Sequence, residues 1–425
     1  MTKKRKAIVI GVNYRSQEDN FEYLMEELKR LVIACNIKVV GEITQNLDHI
    51  NNTHYIGKGK SEELNILLDF TNADIVIAND ELSASQIRIL EDKLGVKVID
   101  RTMLILDIFA QRAKTREAKL QVEMARLQYM LPRLVGQKDY DRQGGGTGLI
   151  NRGSGETKLE LDRRKIEDKI SNIKKELEAL VSQRGIQRNR RKKSGIPVVS
   201  LVGYTNAGKS TIMNKVVEIS NLSLDKQVFE KDMLFATLET SVREITLPDN
   251  KSFLLTDTVG FINKLPHHLV KAFRSTLEEV VEADLIIHVI DYSDPQYERF
   301  IEVTNETLKE IGVNDIPVVY ALNKVDLTDA EFPKVINDRI YLSAKEKIGI
   351  AELNQLISNH IFKDYLKCEM LIPYEEGQII SYFHENASVL TTSYEEEGTM
   401  LTVECKESDY EKYQEYVVNK ISDCL

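Results

Sequence analysis

The stretch VVSLVGYTNAGKSTIMNKVVE, residues 198–218, decides the fold of the middle of this chain. VVSLVG is apolar enough for a buried strand, and TIMNKVVE has a helical pattern. Between them, GYTNAGKS (203–210) satisfies GxxxxGK[ST], in which backbone N–H groups wrap around a phosphate at the positive N-terminus of a helix. Strand, loop and helix together predict a phosphate-binding loop (P-loop) in an α/β domain.

Two side chains of this loop have predicted roles with a nucleoside triphosphate. Lys209 would bridge the β- and γ-phosphates, and the hydroxyl of Ser210 would bind Mg²⁺. Further along, the strand FLLTD ends at Asp257, and Gly260 follows three residues later. This spacing suits a carboxylate that holds Mg²⁺ through water and a glycine whose N–H group senses the γ-phosphate.

Two later motifs predict that the base is guanine. NKVD (323–326) follows the apolar strand IPVVYAL, and the carboxylate of Asp326 can accept hydrogen bonds from guanine N1–H and the exocyclic amino group. SAK (343–345) follows RIYL, where a backbone N–H group can meet guanine O6. Adenine lacks the donor pair, and a buried carboxylate without its donors costs on the order of 1–3 kcal/mol or more.

Thr237, in the stretch FATLETS, is the predicted hydroxyl that closes over Mg²⁺ when the third phosphate is present, with Thr240 as the alternative. The motifs occur in the order of a GTPase, and they predict a P-loop GTPase domain over residues 197–364. The predicted nucleotide contacts are Gly203, Tyr204, Thr205, Asn206, Ala207, Gly208, Lys209, Ser210, Thr211, Phe235, Ala236, Thr237, Leu238, Glu239, Asp257, Thr258, Val259, Gly260, Asn323, Lys324, Asp326, Ser343, Ala344 and Lys345.

Phe261 stands directly after the DTVG motif, where better-known GTPases carry a glutamine that orients the attacking water. Catalysis of phosphoryl transfer is mostly positioning and electrostatics, and a phenyl ring supplies neither. Phe261 is therefore either merely a core residue, or the mark of slow intrinsic hydrolysis that a binding partner accelerates by supplying or rearranging what orients the water.

The rest of the chain predicts three further parts. In residues 1–105, short β-rich runs alternate with helical patterns, as in a small parallel α/β domain. Residues 106–193 carry two apolar stripes on charged helices, which predict an antiparallel helical hairpin arm with a glycine-rich tip loop at 131–156. The stripes are Leu120, Met124, Leu127 and Leu131, then Ile166, Ile170, Ile173, Leu177 and Leu180. Residues 367–425 predict a small α+β domain of strand, helix and a hairpin that turns near Glu397-Gly398.

Charge is distributed unevenly along the chain. The net charge is −10, but residues 111–193 hold 22 Lys and Arg against 11 Asp and Glu, so this segment is +11 and the remainder −21. A reversal of this size predicts a surface that meets a polyanion. The candidate RNA contacts are Arg133, Arg142, Arg152 and Gly153, with a floppy solvated loop as the alternative for the tip. The C-terminal part has 13 acidic and 4 basic residues, and such acidity repels RNA.

Composition excludes several classes of protein. Hydrophobic residues make up 42% and charged residues 29%, as in a globular protein. No apolar run reaches the roughly 18 residues that span a bilayer, which predicts a cytoplasmic protein, with peripheral membrane association left open. The four cysteines are far apart and predict reduced thiols rather than disulfides or zinc ligands. No motif needs a two-fold partner, so a monomer is expected.

These residues resemble the HflX family of translation-associated GTPases along nearly the whole chain. The most specific strings are GYTNAGKS, LFATLE, LDIFAQRAKTREAKLQVEMARLQYMLPRLVG (106–136), RGSGETKLELDRR (152–164) and DTVGFINKLPHHLVKAFRSTLEE (257–279). The resemblance implies the four-part architecture, binding of GTP or GDP with Mg²⁺, and binding to the large ribosomal subunit. It also implies splitting or rescue of stalled ribosomes. Asn206 resembles the P-loop asparagine of GTPases that hold K⁺ beside the phosphates, and capping of the loop backbone is the alternative.

The tip loop departs from the family pattern. Family members usually resemble GGIGTRGPGE, whereas this chain has GGGTGLINRGSGE. The altered tip leaves open whether the chain is a housekeeping member or a paralogue that displaces ribosome-targeting antibiotics. Two other functions also stay open: a GTP-dependent scaffold for ribosome assembly, and an RNA-remodelling ATPase that uses the N-terminal domain, although residues 1–110 contain no P-loop motif.

Overall fold

The structure is a computed structural model, and its residues form two compact units that divide near residue 188. Each unit has its own sheets and its own apolar core. The residues that the structure describes are 4–14, 20–49, 53–135, 158–194, 196–220, 241–249, 251–258, 260–262, 280–313 and 315–421.

The first unit opens with a four-stranded sheet in the order β2-β1-β3-β4, and every neighbouring pair of strands is parallel. This confirms the predicted parallel α/β fold. The sheet forms because strands and amphipathic helices alternate, and their apolar sides share one core. The elements are β1 (Lys6–Tyr14), α1 (Phe21–Ala34), β2 (Lys38–Leu47), α2 (Lys58–Thr71), β3 (Ile75–Ala78), α3 (Ala84–Leu94), β4 (Lys97–Asp100) and α4 (Arg101–Arg112).

Helix α4 crosses the predicted boundary between residues 105 and 106. Asp100 begins it by accepting a hydrogen bond from the backbone N–H of Met103. Leu104, Ile108 and Phe109 are almost fully buried, and the helix contacts α1, β3 and β4. The first segment of the predicted arm is therefore packed against the parallel sheet.

The helical hairpin consists of α5 (Arg116–Val135) and α6 (Lys158–Ser194). Arg116 Nε lies 2.6 Å from Glu176 Oε1, and Lys169 Nζ lies 2.5 Å from Glu123 Oε1. Later residues of α5 thus contact earlier residues of α6, so the two helices are antiparallel.

The most buried face of α5 is not the predicted stripe. Val122, Ala125 and Tyr129 are buried, whereas the predicted residues Leu120, Met124, Leu127 and Leu131 are only half-buried. The reason is that α5 also contacts α3 and α4, so it has a second apolar face that spacing alone did not reveal. On α6, Ile173 and Leu177 of the predicted stripe are buried.

Arg133, near the end of α5, was a predicted RNA contact. Its Nη2 donates to Leu82 O at 2.8 Å and lies 3.1 Å from Glu81 Oε1 and 3.5 Å from Asp100 Oδ2. The guanidinium also stacks over the ring of Tyr129, 3.4 Å from the centroid. The geometry thus assigns Arg133 an intramolecular role, because its charge and donors join α5 to the parallel sheet.

The second unit contains the P-loop in a seven-stranded sheet of order β10-β11-β9-β8-β5-β7-β6. Strand β5 is central and runs parallel to β7 and β8, and the parallel strands β9 and β11 extend the sheet on one side. The elements are β5 (Val198–Gly203), α7 (Lys209–Ile219), β6 (Ser241–Thr246), β7 (Ser252–Asp257), β8 (Leu285–Asp291), α8 (Tyr297–Glu310), β9 (Val318–Asn323), β10 (Lys334–Ile336), β11 (Arg339–Tyr341) and α9 (Ile350–Ile361).

The predicted motifs lie at one edge of this sheet. The P-loop follows β5, the DTVG motif begins at the end of β7, and the NKVD motif begins at the end of β9. The carboxyl ends of parallel strands meet at the same edge of a sheet, which is where α/β proteins bind ligands.

The same unit ends with a four-stranded antiparallel sheet of order β13-β14-β12-β15. The predicted strand, helix and hairpin are present, and the hairpin closes with Glu395 opposite Gly398. Helix α11 and strand β15 were not predicted from the sequence. The elements are β12 (Tyr365–Ile372), α10 (Gly377–Asn386), β13 (Ser388–Glu395), β14 (Gly398–Lys406), α11 (Glu407–Lys412) and β15 (Val417–Ile421).

Lys251 connects the two sheets of the second unit. It stands at the turn between β6 and β7, and its Nζ lies 2.7 Å from Glu404 Oε1 on β14. The ammonium also lies 5.4 Å and 5.5 Å from the ring centroids of Phe362 and Tyr365. Its side chain is only 6% exposed, so water screens these contacts little.

No helix within the described ranges is both long and apolar enough to cross a membrane.

We expect Lys251→Met to lower the free energy of unfolding of this unit by about 1–2 kcal/mol. The substitution keeps the apolar stem but removes the charge opposite Glu404. Urea unfolding followed by tyrosine fluorescence measures the change, since the chain has 17 Tyr and no Trp. Asp249→Asn is the control: its carboxylate is 3.3 Å from Lys251 Nζ but 37% exposed, so we expect a change within about 0.5 kcal/mol. Equal changes in the free energy of unfolding for the two variants would contradict the proposed connection of the two sheets through Lys251.

Candidate nucleotide-binding site

Glycine is required at two positions of the P-loop for different steric reasons. A Cβ atom on Gly203 would lie 2.1 Å from the carbonyl oxygen of Val289, and the residue has φ +143°. Gly208 has φ +97°, and a Cβ there would lie 2.2 Å from Asn323 Nδ2. Both residues allow the loop to turn tightly before α7, whose first residue is Lys209.

Asn323 joins three of the predicted motifs. Its Nδ2 donates to Ala207 O in the P-loop at 2.9 Å, and its Oδ1 accepts from the backbone N–H of Ala344 at 3.0 Å. Asn323 itself begins the NKVD motif and is 3% exposed. One buried amide therefore sets the spacing between the phosphate-binding loop and both of the predicted guanine-binding segments.

Lys209 bends back over the P-loop. Its Nζ donates to Gly203 O at 3.0 Å and to Tyr204 O at 2.9 Å. Burial lowers the pKa of Lys209 to about 8, and the nearby carboxylate of Asp257 opposes this shift. A phosphate bound in the loop would supply the negative charge that the buried ammonium needs.

Ser210 and Asp257 come together as predicted for a Mg²⁺ site. Ser210 Oγ donates to Asp257 Oδ2 at 2.6 Å, and Asp257 is fully buried at the end of β7. Hydroxyl and carboxylate oxygens are the hard donors that Mg²⁺ prefers. These residues therefore fit the ion that GTPases of this kind generally use.

The guanine-binding segments are held in place by their own contacts. Lys324 has φ +65°, and its Nζ lies 2.6 Å from Asp291 Oδ2. Ser343 and Ile348 exchange two backbone hydrogen bonds of 3.0 Å, which close the loop that carries Ala344. Asp326 Oδ1 is buried and has no hydrogen-bond partner within the described ranges, as expected for an acceptor that guanine would satisfy.

Phe261 lies in the core, with 3% of its surface exposed. Its N–H donates to Gly203 O at 3.1 Å, and its carbonyl accepts from Thr205 N–H at 2.8 Å. Gly260 packs closely against the P-loop, since a Cβ there would lie 2.8 Å from the Cα of Thr205. The segment after β7 is thus joined to the P-loop by backbone hydrogen bonds, while the phenyl ring points away from water.

The other residues that were predicted to contact the nucleotide or RNA lie in different parts of the chain. Tyr204 stacks on Phe300 of α8, with ring centroids 4.4 Å apart. Thr258 Oγ1 donates to Leu201 O at 2.7 Å and so supports the sheet. Thr211 lies in the first turn of α7, and the side chain of Lys345 is 78% exposed. Several predicted residues lie outside the described ranges: Phe235, Ala236, Thr237, Leu238, Glu239, Val259, Arg142, Arg152 and Gly153.

Two residues near the site were not identified from the sequence. Asp291, at the end of β8, pairs with Lys324, and its position after the apolar run LIIHVI was an available signal. His288 is buried three residues before the end of β8, where burial and the charge of Lys209 lower its pKa to about 3. The histidine is therefore neutral at physiological pH, and only the packing of the sheet reveals this.

Protein-family models match most of this chain. Family models described as GTP-binding GTPase N-terminal, GTP-binding GTPase Middle Region and 50S ribosome-binding GTPase match residues 22–110, 112–191 and 198–324. A GTPase HflX from Caldanaerobacter subterraneus subsp. tengcongensis is 45% identical over 417 residues, 98% of this chain and 94% of the relative. The chain belongs to the HflX family of GTPases.

A second curated relative also belongs to this family. The GTPase HflX of Escherichia coli K12 is 39% identical over 402 residues, which cover 93% of this chain and 92% of that protein. Among solved structures, a GTP-binding protein from the archaeon Sulfolobus solfataricus in complex with GDP has 24% identity and a TM-score of 0.45, with 84% of this chain and 99% of that chain covered. Membership of the HflX family makes this chain a GTPase, which converts GTP to GDP and phosphate.

We expect Asp326→Asn to change the base preference of this HflX-family GTPase. Asparagine keeps one carbonyl acceptor for N1–H, but its NH2 group replaces the second acceptor and cannot accept from the guanine amino group. The NH2 group can instead donate to the 2-oxo group of xanthine. Affinity for GDP should fall by about 100-fold or more and affinity for XDP should rise. Equilibrium titration with both nucleotides measures this. Asp329→Asn, three residues further and exposed, is the matched control and should bind GDP as the wild type does. Unchanged GDP affinity in Asp326→Asn would contradict the guanine contact.

Lys209 should titrate differently in the free and nucleotide-bound protein. Without nucleotide, its burial predicts half-deprotonation near pH 8. Bound phosphate favours the charged form, so with GDP the pKa should rise toward or above the ordinary value of 10.5. At pH values between the pKa of Lys209 in the free protein and its pKa in the GDP-bound protein, binding of GDP takes up a proton. Affinity for GDP therefore falls as pH rises through this range. NMR of ε-¹³C-labelled lysine, assigned with Lys209→Met, measures both midpoints. A titration midpoint of Lys209 near pH 10.5 both with and without GDP would contradict this prediction.

Proposed function

We propose that this GTPase binds the large ribosomal subunit in its GTP-bound form and splits or rescues stalled ribosomes, and that the ribosome stimulates its hydrolysis. The observation that carries the proposal is the position of Phe261. The residue after DTVG is buried, and its backbone is hydrogen-bonded to the P-loop on both sides. It cannot bring a polar group to the attacking water.

Slow intrinsic hydrolysis follows from this geometry. Phosphoryl transfer depends on positioning of the nucleophile and on charge at the transition state. Without a glutamine after DTVG, the isolated chain keeps GTP until a partner completes or rearranges the site. A GTPase that acts on a large assembly would then hydrolyse GTP only after it has bound that assembly.

The ribosome is the partner that the family relationship supports. The P-loop region matches a family described as 50S ribosome-binding GTPase, and the middle segment carries a net charge of +11 that suits an RNA surface. Within that segment, Arg142, Arg152 and Gly153 stay predicted RNA contacts. Arg133 was also predicted as an RNA contact, and its guanidinium binds within the first unit.

In the proposed reaction, Lys209 binds the phosphates and the N–H of Gly260 contacts the γ-phosphate. Ser210 and Asp257, with Thr237, would hold Mg²⁺, which neutralises the charge that develops on the phosphate oxygens. Asn206 is the proposed ligand of K⁺. Asn206 has φ +64°, a left-handed conformation that asparagine tolerates better than most residues. The loop conformation therefore explains in part why an asparagine stands at this position.

The test is to mix the purified chain with GTP and whole ribosomes, and to measure phosphate release and the sedimentation of subunits together. We expect turnover to rise by at least about tenfold with ribosomes and whole ribosomes to become free subunits. A chain without residues 131–156 should retain GTP binding and lose splitting. Performed in K⁺ and in Na⁺, the same assay should give faster turnover in K⁺ if Asn206 holds that ion.

Two outcomes would contradict the proposal. Hydrolysis by the isolated chain that is as fast as with ribosomes would remove the role of the partner. Sedimentation with immature subunits, without any splitting of whole ribosomes, would favour an assembly factor instead.

A further inference from the structure

The hydroxyl of Thr205 is a buried polar group of the P-loop whose partner is missing. Thr205 is 7% exposed, and its Oγ1 has no hydrogen-bond partner among the residues that the structure describes. A buried hydroxyl without a partner costs about 1–3 kcal/mol, so a ligand or an ordered water usually satisfies such a group, and in the P-loop a bound phosphate is available for this. The hydroxyl therefore points to a bound group in the site.

The surroundings of Thr205 identify that group. The point where a Cβ on Gly260 would lie is 2.9 Å from Thr205 Cγ2 and 3.0 Å from Lys209 Nζ. The threonine side chain and the phosphate-binding ammonium thus lie against the same glycine. Since Lys209 and Gly260 are the residues of a P-loop GTPase that contact the γ-phosphate, Thr205 lies where that phosphate and its attacking water would be.

Contacts on both sides hold Thr205 in place. Its N–H donates to Phe261 O at 2.8 Å, and the preceding residue, Tyr204, stacks on Phe300. Rotation about χ1 is restricted because threonine is β-branched. The hydroxyl is therefore preorganised, as catalytic groups need to be.

We propose that Thr205 is a catalytic residue of GTP hydrolysis, and that its hydroxyl contacts the γ-phosphate and the attacking water. The inference rests on the proposed function in one respect, that Phe261 leaves the water without a side chain to orient it. Thr205 Oγ1 is a buried hydroxyl of the P-loop without a hydrogen-bond partner among the described residues.

The step is balanced as follows. Thr205 Oγ1 accepts a hydrogen bond from the attacking water, and its O–H group donates a hydrogen bond to a γ-phosphate oxygen, so no proton leaves the threonine. The water oxygen forms a bond to the γ-phosphorus. The bond from that phosphorus to the β–γ bridging oxygen breaks, and its electron pair stays on GDP. The proton lost by the water ends on the released phosphate.

The test compares Thr205→Val, Thr205→Ser and the wild type in the full-length chain. Valine has nearly the shape of threonine without the hydroxyl, and serine keeps the hydroxyl. We expect Thr205→Val to slow single-turnover GTP hydrolysis by on the order of 10- to 100-fold, with and without large ribosomal subunits. Thr205→Ser should stay within about threefold of the wild type, because it keeps the donor and acceptor.

A second readout separates catalysis from folding. Affinity for GDP should be unchanged in Thr205→Val, whereas binding of GDP with aluminium fluoride, which mimics the transition state, should weaken by a similar factor to the rate. Thr304→Val is the matched control. Thr304 Oγ1 on α8 is also buried and without a partner in the described residues, but it belongs to no part of the site. This control should hydrolyse GTP at the wild-type rate.

Wild-type hydrolysis by Thr205→Val, or equal slowing by Thr205→Val and Thr205→Ser, would overturn the assignment. Equal weakening of GDP and of the aluminium fluoride complex would do the same, because it indicates a structural role. A failure of ribosomes to stimulate the wild type would instead count against the proposed function alone, since the intrinsic rates still test Thr205.

Discussion

The site depends on the side chain of Asn323. A single buried amide donates to the carbonyl of Ala207 in the P-loop and accepts from the N–H of Ala344, while its own backbone begins the NKVD motif. The parallel sheet brings the loops after β5 and β9 to one edge, but it does not set the distance between them to within an ångström. The amide does so, because both of its hydrogen bonds are buried and neither can be replaced by water. Phosphate and base recognition are thereby coupled through one residue.

The catalytic centre of this HflX-family GTPase combines rigidity with an incomplete set of polar groups. Phe261 is held against the P-loop by two backbone hydrogen bonds, and its ring contributes to the core. The same contacts fix the backbone of Thr205, whose side chain lies beside Gly260 and whose hydroxyl is buried. The proposed dependence on a partner would follow from the side chains that line the γ-phosphate position.

The hairpin of β6 and β7 contacts the C-terminal sheet through Lys251. Strand β7 ends at Asp257, and the turn before it carries Lys251, which is paired with Glu404. The side chain of Lys251 is 6% exposed and that of Glu404 is 28% exposed, so the ion pair is partly shielded from water. The acidic C-terminal sheet is thus mechanically linked to the strand that carries a proposed Mg²⁺ ligand.

The sequence by itself determined the class of the fold and the identity of the nucleotide site. Local rules suffice there: a glycine-rich turn between a strand and a helix, and a carboxylate after a buried strand, keep their meaning wherever they occur. The alternation of strands and helices likewise predicted the parallel sheet of the first unit. Tertiary structure alone decided which polar groups are shared between distant segments. Arg133 looked like a charge available to RNA, yet it binds Leu82 and Asp100, and Asp291 pairs with Lys324 across two strands. Such pairings depend on which elements become neighbours, and spacing along the chain carries no information about them.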